Sequence, residues 1–179
     1  MKIYVVTGLI LLISTATMHT QDRLPLSFSD TPGLHVTSYD GLAHRDSVYY
    51  TALCGVVHTE MGIEHVPARL HVVFVDQYTS DRIIAANPGR FAGKDFTGAF
   101  IAPSLIIMVG EEESDDTFMH EYLHYLHAQG LVFRGVPQSM VHRRIEEAEG
   151  YLIASATYLD LLRRAAYCNS IEMSPLRTL

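Results

Sequence analysis

Apolar positions recur along the chain in two periods, one typical of helices and one typical of strands. Over 46–61 the apolar residues lie three or four positions apart, which predicts a helix that ends at Gly62. Short runs rich in β-branched residues predict buried strands at 70–75, 96–101 and 105–109. The last third of the chain returns to helical spacing, so the strands precede two long helices.

Three more helices are predicted, at 80–86, at 117–129 and from about residue 139 to 167. Ser114 or Asp115 can cap the second of these, because their side-chain oxygens accept hydrogen bonds from the unpaired N–H groups of a first turn. The acidic residues of 111–116 suit the positive end of that helix dipole, which accounts for them without a calcium site. Strands followed by helices in one compact unit predict an α+β fold.

The first sixteen residues have the features of a signal peptide. Lys2 is followed by an apolar run at 3–13 and then by small residues that end at Ala16. The run is shorter than the about 20 residues that cross a bilayer. We therefore predict a signal peptide at 1–16, a secreted or periplasmic location, and no stable membrane span after cleavage.

Composition limits what the rest of the chain can be. The 179 residues are 48% hydrophobic and carry a net charge of −7, which fits one globular domain with a substantial core. Residues 17–45 are rich in Pro, Ser, Thr, Asp and Gly and are predicted to form an irregular lead-in to a single domain at 46–179. No basic cluster interleaves with aromatic residues, so no nucleic-acid partner is expected.

The two cysteines are interpreted through the predicted export. In an oxidising compartment Cys54 and Cys168 can form a disulfide that links distant parts of the chain. Two free, buried thiols are the alternative.

One motif carries candidate chemistry. Residues 120–124 read HEYLH, which is the HExxH pattern, on a predicted helix. His120 and His124 are one turn apart on the same face, so both imidazoles can reach one ion. Glu121 cannot chelate the same ion comfortably, but it can accept a proton from a water bound to the metal.

On this motif, its capped helix, the strands before it and the glutamate-bearing helix after it, the chain resembles the zincin metallopeptidases over about residues 69–165. Within them it is similar to the gluzincins, in which a downstream glutamate is the third zinc ligand. The resemblance implies a minimal zincin-like α+β domain, with a small mixed sheet followed by the HExxH helix and a Glu-bearing helix. It also implies zinc as cofactor, a peptide or protein substrate, and peptide-bond hydrolysis by a zinc-activated water with Glu121 as general base.

Catalytic zinc needs a third protein ligand and an open position for water. His127 lies on the same stripe as His120 but about 10 Å further along the helix axis, which is too far for one ion. Glu149, at the edge of the core-facing stripe of the second long helix, is the better candidate, and Glu149-Gly150 resembles the start of the ligand helix in many gluzincins. Glu146 is the alternative, since its distance from the motif is nearer to that of thermolysin-like enzymes.

The donor for a developing oxyanion stays open, and His142, Tyr151 and Tyr158 are the candidates near the site in sequence. The strand around 98–100 can lie along the cleft and pair with an extended substrate, or be an interior strand. A non-catalytic zinc-binding or inhibitory secreted protein on the same scaffold is the alternative function. The intact Glu121 argues against it, because a structural zinc site has no use for that carboxylate.

Overall fold

The computed structural model of the protein describes residues 33–38, 45–64, 69–86, 97–110 and 114–172. This part of the chain contains four strands and five helices, in the order β1 (Gly33–Ser38), α1 (Ser47–Met61), β2 (Arg69–Val75), α2 (Gln77–Ala86), β3 (Gly98–Ile101), β4 (Leu105–Val109), α3 (Asp115–Ala128), α4 (Gln138–Ile153) and α5 (Ala156–Glu172). The predicted α+β fold class is confirmed. The predicted signal peptide at 1–16 lies outside the described residues.

The strands form one small mixed sheet in the order β1-β2-β4-β3. Strands β1, β2 and β4 run parallel, whereas β3 pairs antiparallel with β4 and lies at an edge of the sheet. Strands β2 and β4 are buried on both faces along most of their length, which is why each reads as a continuous apolar run.

The larger core lies between one face of the sheet and helices α1, α3 and α4. Alternate residues of β2 and β4 point into it, and they meet apolar side chains of the three helices, among them Val72, Phe74, Ile106, Met108, Leu53, Phe118, Leu123 and Ile145. The Tyr50 ring of α1 lies 5.4 Å from the Phe74 ring and 4.8 Å from the Phe118 ring, measured between centroids. This packing fixes α3 against the sheet, and with it the HExxH motif.

Local chemistry explains where the first two helices begin and end. The Asp46 carboxylate accepts the Tyr49 N–H at 2.9 Å and caps α1, and Gly62, in the left-handed conformation at φ 65°, ends it as predicted. Helix α2 begins at Gln77, earlier than predicted, because the Asp76 carboxylate accepts the Thr79 N–H at 2.7 Å. No helix among the described residues is both long and apolar enough to cross a bilayer.

Two predictions about secondary structure are wrong. The predicted irregular lead-in contains strand β1, because residues 33–38 pair in parallel register with β2, a tertiary interaction that the local sequence does not signal. The single long helix predicted from about 139 to 167 is two helices. Ser155 separates them, and its Oγ accepts the Tyr158 N–H at 3.2 Å, which caps the second helix.

Candidate metal centre

Helix α3 carries the HExxH motif, and its first turn is tied to two other helices. Ser114 is the N-cap, and its Oγ accepts the Thr117 N–H at 3.4 Å. The Asp115 carboxylate accepts the Tyr49 hydroxyl of α1 at 2.5 Å and the Tyr158 hydroxyl of α5 at 2.8 Å. Burial, and then this shared carboxylate, raises the pKa of both tyrosines far above the usual range, so both hydroxyls keep the proton they donate.

The motif lies at the border between core and surface. Helix α3 buries one side against the sheet and the neighbouring helices through Phe118, Met119, Tyr122, Leu123, Tyr125 and Leu126. His120, Glu121 and His124 are partly buried on the adjoining face. Their polar atoms therefore remain within reach of solvent while the helix that carries them is held rigidly.

Helix α4 brings a third histidine to the pair. One ligand atom from each of His120, His124 and His142 lies within 4.8 Å of the corresponding atoms of the other two. The His142 ring centroid is 5.1 Å from that of His120 and 5.7 Å from that of His124. Three histidines from two helices are thus close enough to hold a metal ion.

The spacing of the three imidazoles suits a small ion after a modest adjustment. Nitrogen atoms bound to a tetrahedral zinc ion at about 2.0–2.1 Å lie about 3.4 Å apart. The observed separations are at most 4.8 Å, so the nitrogen atoms need to approach one another by at most about 1.4 Å. His142 is the side chain free to make that movement, since its exposed fraction is 56% whereas that of His120 is 17%.

Glu149 lies next to the histidine cluster and contacts His120. Its Oε2 is 2.6 Å from His120 Nδ1, and both side chains are largely buried, with exposed fractions of 23% and 17%. With Nδ1 engaged in this way, Nε2 is the nitrogen of His120 that can bind an ion. Glu149, predicted from the sequence as third ligand, contacts His120 in the way that a carboxylate contacts a histidine whose other nitrogen is available to a metal.

Glu146, the alternative third ligand of the sequence analysis, contacts a different histidine. Its Oε1 is 3.3 Å from His142 Nε2, four residues earlier on α4, and both side chains are exposed. Glu147, by contrast, pairs with Arg143 and Arg144 on the outer face of the helix, and these two pairs lower its pKa. Of these glutamates, Glu149 contacts α3, whereas Glu146 contacts a histidine of its own helix.

The two tyrosines considered as oxyanion donors are hydrogen-bonded elsewhere. The Tyr151 hydroxyl donates to Glu60 of α1 at 2.9 Å, and its side chain is exposed. The Tyr158 hydroxyl donates to Asp115 at the start of α3. Of the three candidates, His142 is the one that the structure brings to the HExxH histidines, and it does so as a third nitrogen donor.

The candidate base, Glu121, faces the sheet edge. Its Oε2 accepts the backbone N–H of Phe100 on β3 at 2.5 Å. Strand β3 is an edge strand beside α3 and not an interior strand. This is the position that residues 98–100 need in order to lie along a cleft. The carboxylate of the motif is therefore held between the helix and the outer strand.

His127 contacts the loop after α3 and is not part of the cluster of His120, His124 and His142. The Nδ1 atom of His127 lies 3.3 Å from the carbonyl oxygen of Val132, in the loop after α3. Cys54 is a free, buried thiol in this structure, which is the alternative to the disulfide with Cys168, and the side chain of Cys168 lies outside the described residues. Burial raises the pKa of Cys54 to about 12, which keeps the thiol protonated.

The sequence analysis did not select His142 as a ligand, although a signal was present. His142 and Glu149 are seven residues apart, two helical turns, so a helix that points one of them towards α3 points the other there as well.

Comparisons with family models, with curated proteins and with solved structures give no match to this chain. The site therefore has to be interpreted from its own geometry.

Proposed function

We propose that this protein is an exported zinc metallopeptidase in which His120, His124 and His142 hold the ion and Glu121 is the general base. One observation carries the proposal. The two histidines of an HExxH helix converge with a third histidine from α4, and the glutamate of the same motif contacts the edge strand β3. This combination suits metal-assisted hydrolysis.

The donor set supports zinc. Imidazole nitrogen is a preferred zinc ligand, and three protein ligands with one open position are typical of catalytic rather than structural zinc. A bound zinc ion supplies a Lewis acid that lowers the pKa of a coordinated water to about 7. The Glu149 carboxylate fixes the tautomer and ring orientation of His120, as carboxylates commonly do for zinc-binding histidines.

Glu121 then performs the proton transfers. It follows His120 directly, so it does not share the helix face of the two histidines and does not compete for the same ion, but it can reach a water bound there. In hydrolysis it accepts a proton from the attacking water and returns one to the leaving amine. A protein that binds zinc only for structure or inhibition would use this carboxylate for its contact with the Phe100 N–H alone.

Peptide substrates are favoured by the neighbouring strand. Strand β3 is at the edge of the sheet beside α3, and an edge strand can offer outward backbone groups to a segment in extended conformation, although the Phe100 N–H already donates to Glu121. Because Glu121 contacts Phe100 of β3, a peptide bound beside this strand would lie close to the proposed base. The predicted signal peptide implies that the protein acts outside the cytoplasm.

Glu149 remains the alternative third ligand. A rotation of the His120 ring that releases its Nδ1 would leave the Glu149 carboxylate free to bind the ion itself. Both arrangements complete the site from α4 and keep Glu121 as base, so the choice between them affects the ligand set and not the reaction.

The test is the pair Glu121→Gln and His120→Ala. We expect wild-type protein to bind about one zinc ion and to hydrolyse a general peptide substrate. Glu121→Gln should keep the ion and lose about 10²–10⁴-fold in kcat, because it removes a positioned base and no ligand. His120→Ala should lose the ion. A wild-type protein that binds no metal, or a Glu121→Gln variant that is fully active, contradicts the proposal.

A further inference from the structure

Only alternate residues of β3 direct their backbone N–H and C=O groups outwards, away from β4. The Val109 N–H of β4 donates to the Thr97 carbonyl at 2.9 Å, which fixes the phase of the antiparallel pair. Because alternate residues of such a pair exchange both hydrogen bonds, Ala99 and Ile101 direct theirs to β4. Gly98 and Phe100 direct their backbone groups away from β4.

The outward N–H of Phe100 has a specific acceptor. It donates to Oε2 of Glu121 at 2.5 Å, and hydrogen bonds to a charged acceptor are stronger than those between neutral groups. An edge-strand amide ordinarily meets water or another strand. Here it meets the one carboxylate of the HExxH motif.

This contact requires β3 and α3 to approach closely, and Gly98 allows them to. A Cβ atom at Gly98 would lie 2.7 Å from Thr117 Cγ2 and 3.3 Å from Glu121 Cγ. The first distance is shorter than real Cβ contacts, so any larger residue forces the strand and helix apart. Thr117 is β-branched on a helix and has little rotamer freedom with which to yield.

We propose that β3 is the positioning element of Glu121: the Phe100 amide anchors its carboxylate, and the missing side chain at Gly98 lets the strand approach near enough to do so. This inference rests on the proposed role of Glu121 as base. A base acts only when held within hydrogen-bond reach of its proton, and a misplacement of about 1 Å can cost about 10²-fold in rate. An unanchored glutamate spreads over several rotamers instead.

Amide hydrogen exchange tests the anchor without metal or activity. In metal-free protein followed by NMR, the Phe100 amide is expected to exchange slowly although it faces away from β4. Glu121→Ala should accelerate its exchange at least about 10-fold and leave the amides of Ala99 and Ile101 unchanged. Unchanged exchange at Phe100 overturns the anchor.

A matched pair of variants tests its effect on catalysis. Phe100→Pro removes the amide donor, and proline is tolerated at a strand edge where the N–H points outward. Phe100→Ala also removes the ring but keeps the donor. Relative to Phe100→Ala, we expect Phe100→Pro to lose about 10²-fold in kcat, with KM changed by only a few-fold and zinc content unchanged. Equal kcat values in the two folded variants overturn the proposal.

Gly98 provides a second route that keeps the amide. Gly98→Ala should lower kcat without loss of zinc, and Gly98→Ala/Thr117→Ser should recover most of it, because serine removes the methyl group nearest to the new Cβ and keeps the hydroxyl. Gly150→Ala is the control, since a Cβ there meets nothing within 4 Å. Full activity of Gly98→Ala, or no recovery of kcat in the double variant, contradicts the proposal. These two variants also provide the test if Phe100→Pro does not fold.

The outcomes separate this inference from the proposed function. If the wild type hydrolyses no peptide, the proposed function fails, and the exchange experiment still decides whether Phe100 anchors Glu121. If the wild type is active but Phe100→Pro and Gly98→Ala behave like their controls, only the positioning role fails.

Discussion

Replacing Glu149 separates the two roles that sequence and structure give it. In the structure its carboxylate contacts Nδ1 of His120 at 2.6 Å and therefore acts on the metal through that ring. In the gluzincin-like alternative it binds the ion directly. Glu149→Gln and Glu149→Ala, compared with His142→Ala, give different results under the two arrangements.

The expected magnitudes follow from what each group touches. Removing a carboxylate that orients a ligating histidine costs about 10–100-fold in metal affinity, which is about 1.4–2.7 kcal/mol. Four-ligand structural sites bind zinc with about 10–16 kcal/mol, so one ligand accounts for about 2.5–4 kcal/mol, or about 10²–10³-fold. We therefore expect His142→Ala to weaken zinc binding more than Glu149→Ala. Glu149→Gln should be the mildest, because its amide oxygen still accepts the Nδ1 proton.

Competition with a chromophoric chelator of known zinc affinity gives the dissociation constants at neutral pH. Glu147→Gln is the control, since Glu147 pairs with two arginines away from the cluster and should leave zinc affinity unchanged. The reasoning is refuted if Glu149→Gln loses zinc as severely as His120→Ala while His142→Ala binds it normally. That order of affinities would make Glu149 the third ligand.

Three further predictions concern the rest of the chain. Burial lowers the pKa of His58 and His71 in the folded protein below 6.5, so as pH falls the unfolded chain binds protons at these residues first. Their contribution to the free energy of unfolding is therefore fully present above about pH 6.5. It is lost as pH falls through the lower pKa values of the folded protein. Urea unfolding of metal-free protein should therefore show a lower midpoint at about pH 5.5 than at about pH 7.5, and a His71→Gln variant should show less of this difference. Mass spectrometry of exported protein should find a chain that begins after Ala16, and a chain that retains Met1 would contradict the signal peptide. A maleimide should label Cys54 only after unfolding without reductant, and no labelling there would indicate the disulfide to Cys168 instead.

Features that depend on neighbouring residues in sequence could be predicted. Asp46 and Gly62 bound α1 because a capping carboxylate and a left-handed glycine act locally. The HExxH helix was predicted in the same way, from Ser114 at its start and the apolar stripe that follows. The buried strands β2 and β4 were recognisable because burial on both faces leaves continuous apolar runs.

Features that depend on contacts between distant parts of the chain could not be predicted from the sequence. Strand β1 is recognisable only beside β2, because its own residues are mixed in polarity and lie near glycine and proline. Choosing the third ligand among His142, Glu146 and Glu149 requires knowledge of how α3 and α4 cross. A helical wheel shows which side chains share a face, but the packing angle decides which of them reaches His120.

The central claim is that zinc binds where helices α3 and α4 meet, beside Glu121. Anomalous diffraction from crystals of zinc-loaded protein, recorded on both sides of the zinc absorption edge, tests it most directly. We expect one peak about 2.0–2.1 Å from ring nitrogens of His120, His124 and His142. A peak bound to His120, His124 and Glu149 would correct the third ligand alone. The absence of a peak at the HExxH histidines, in protein that is folded and supplied with zinc, would contradict the account.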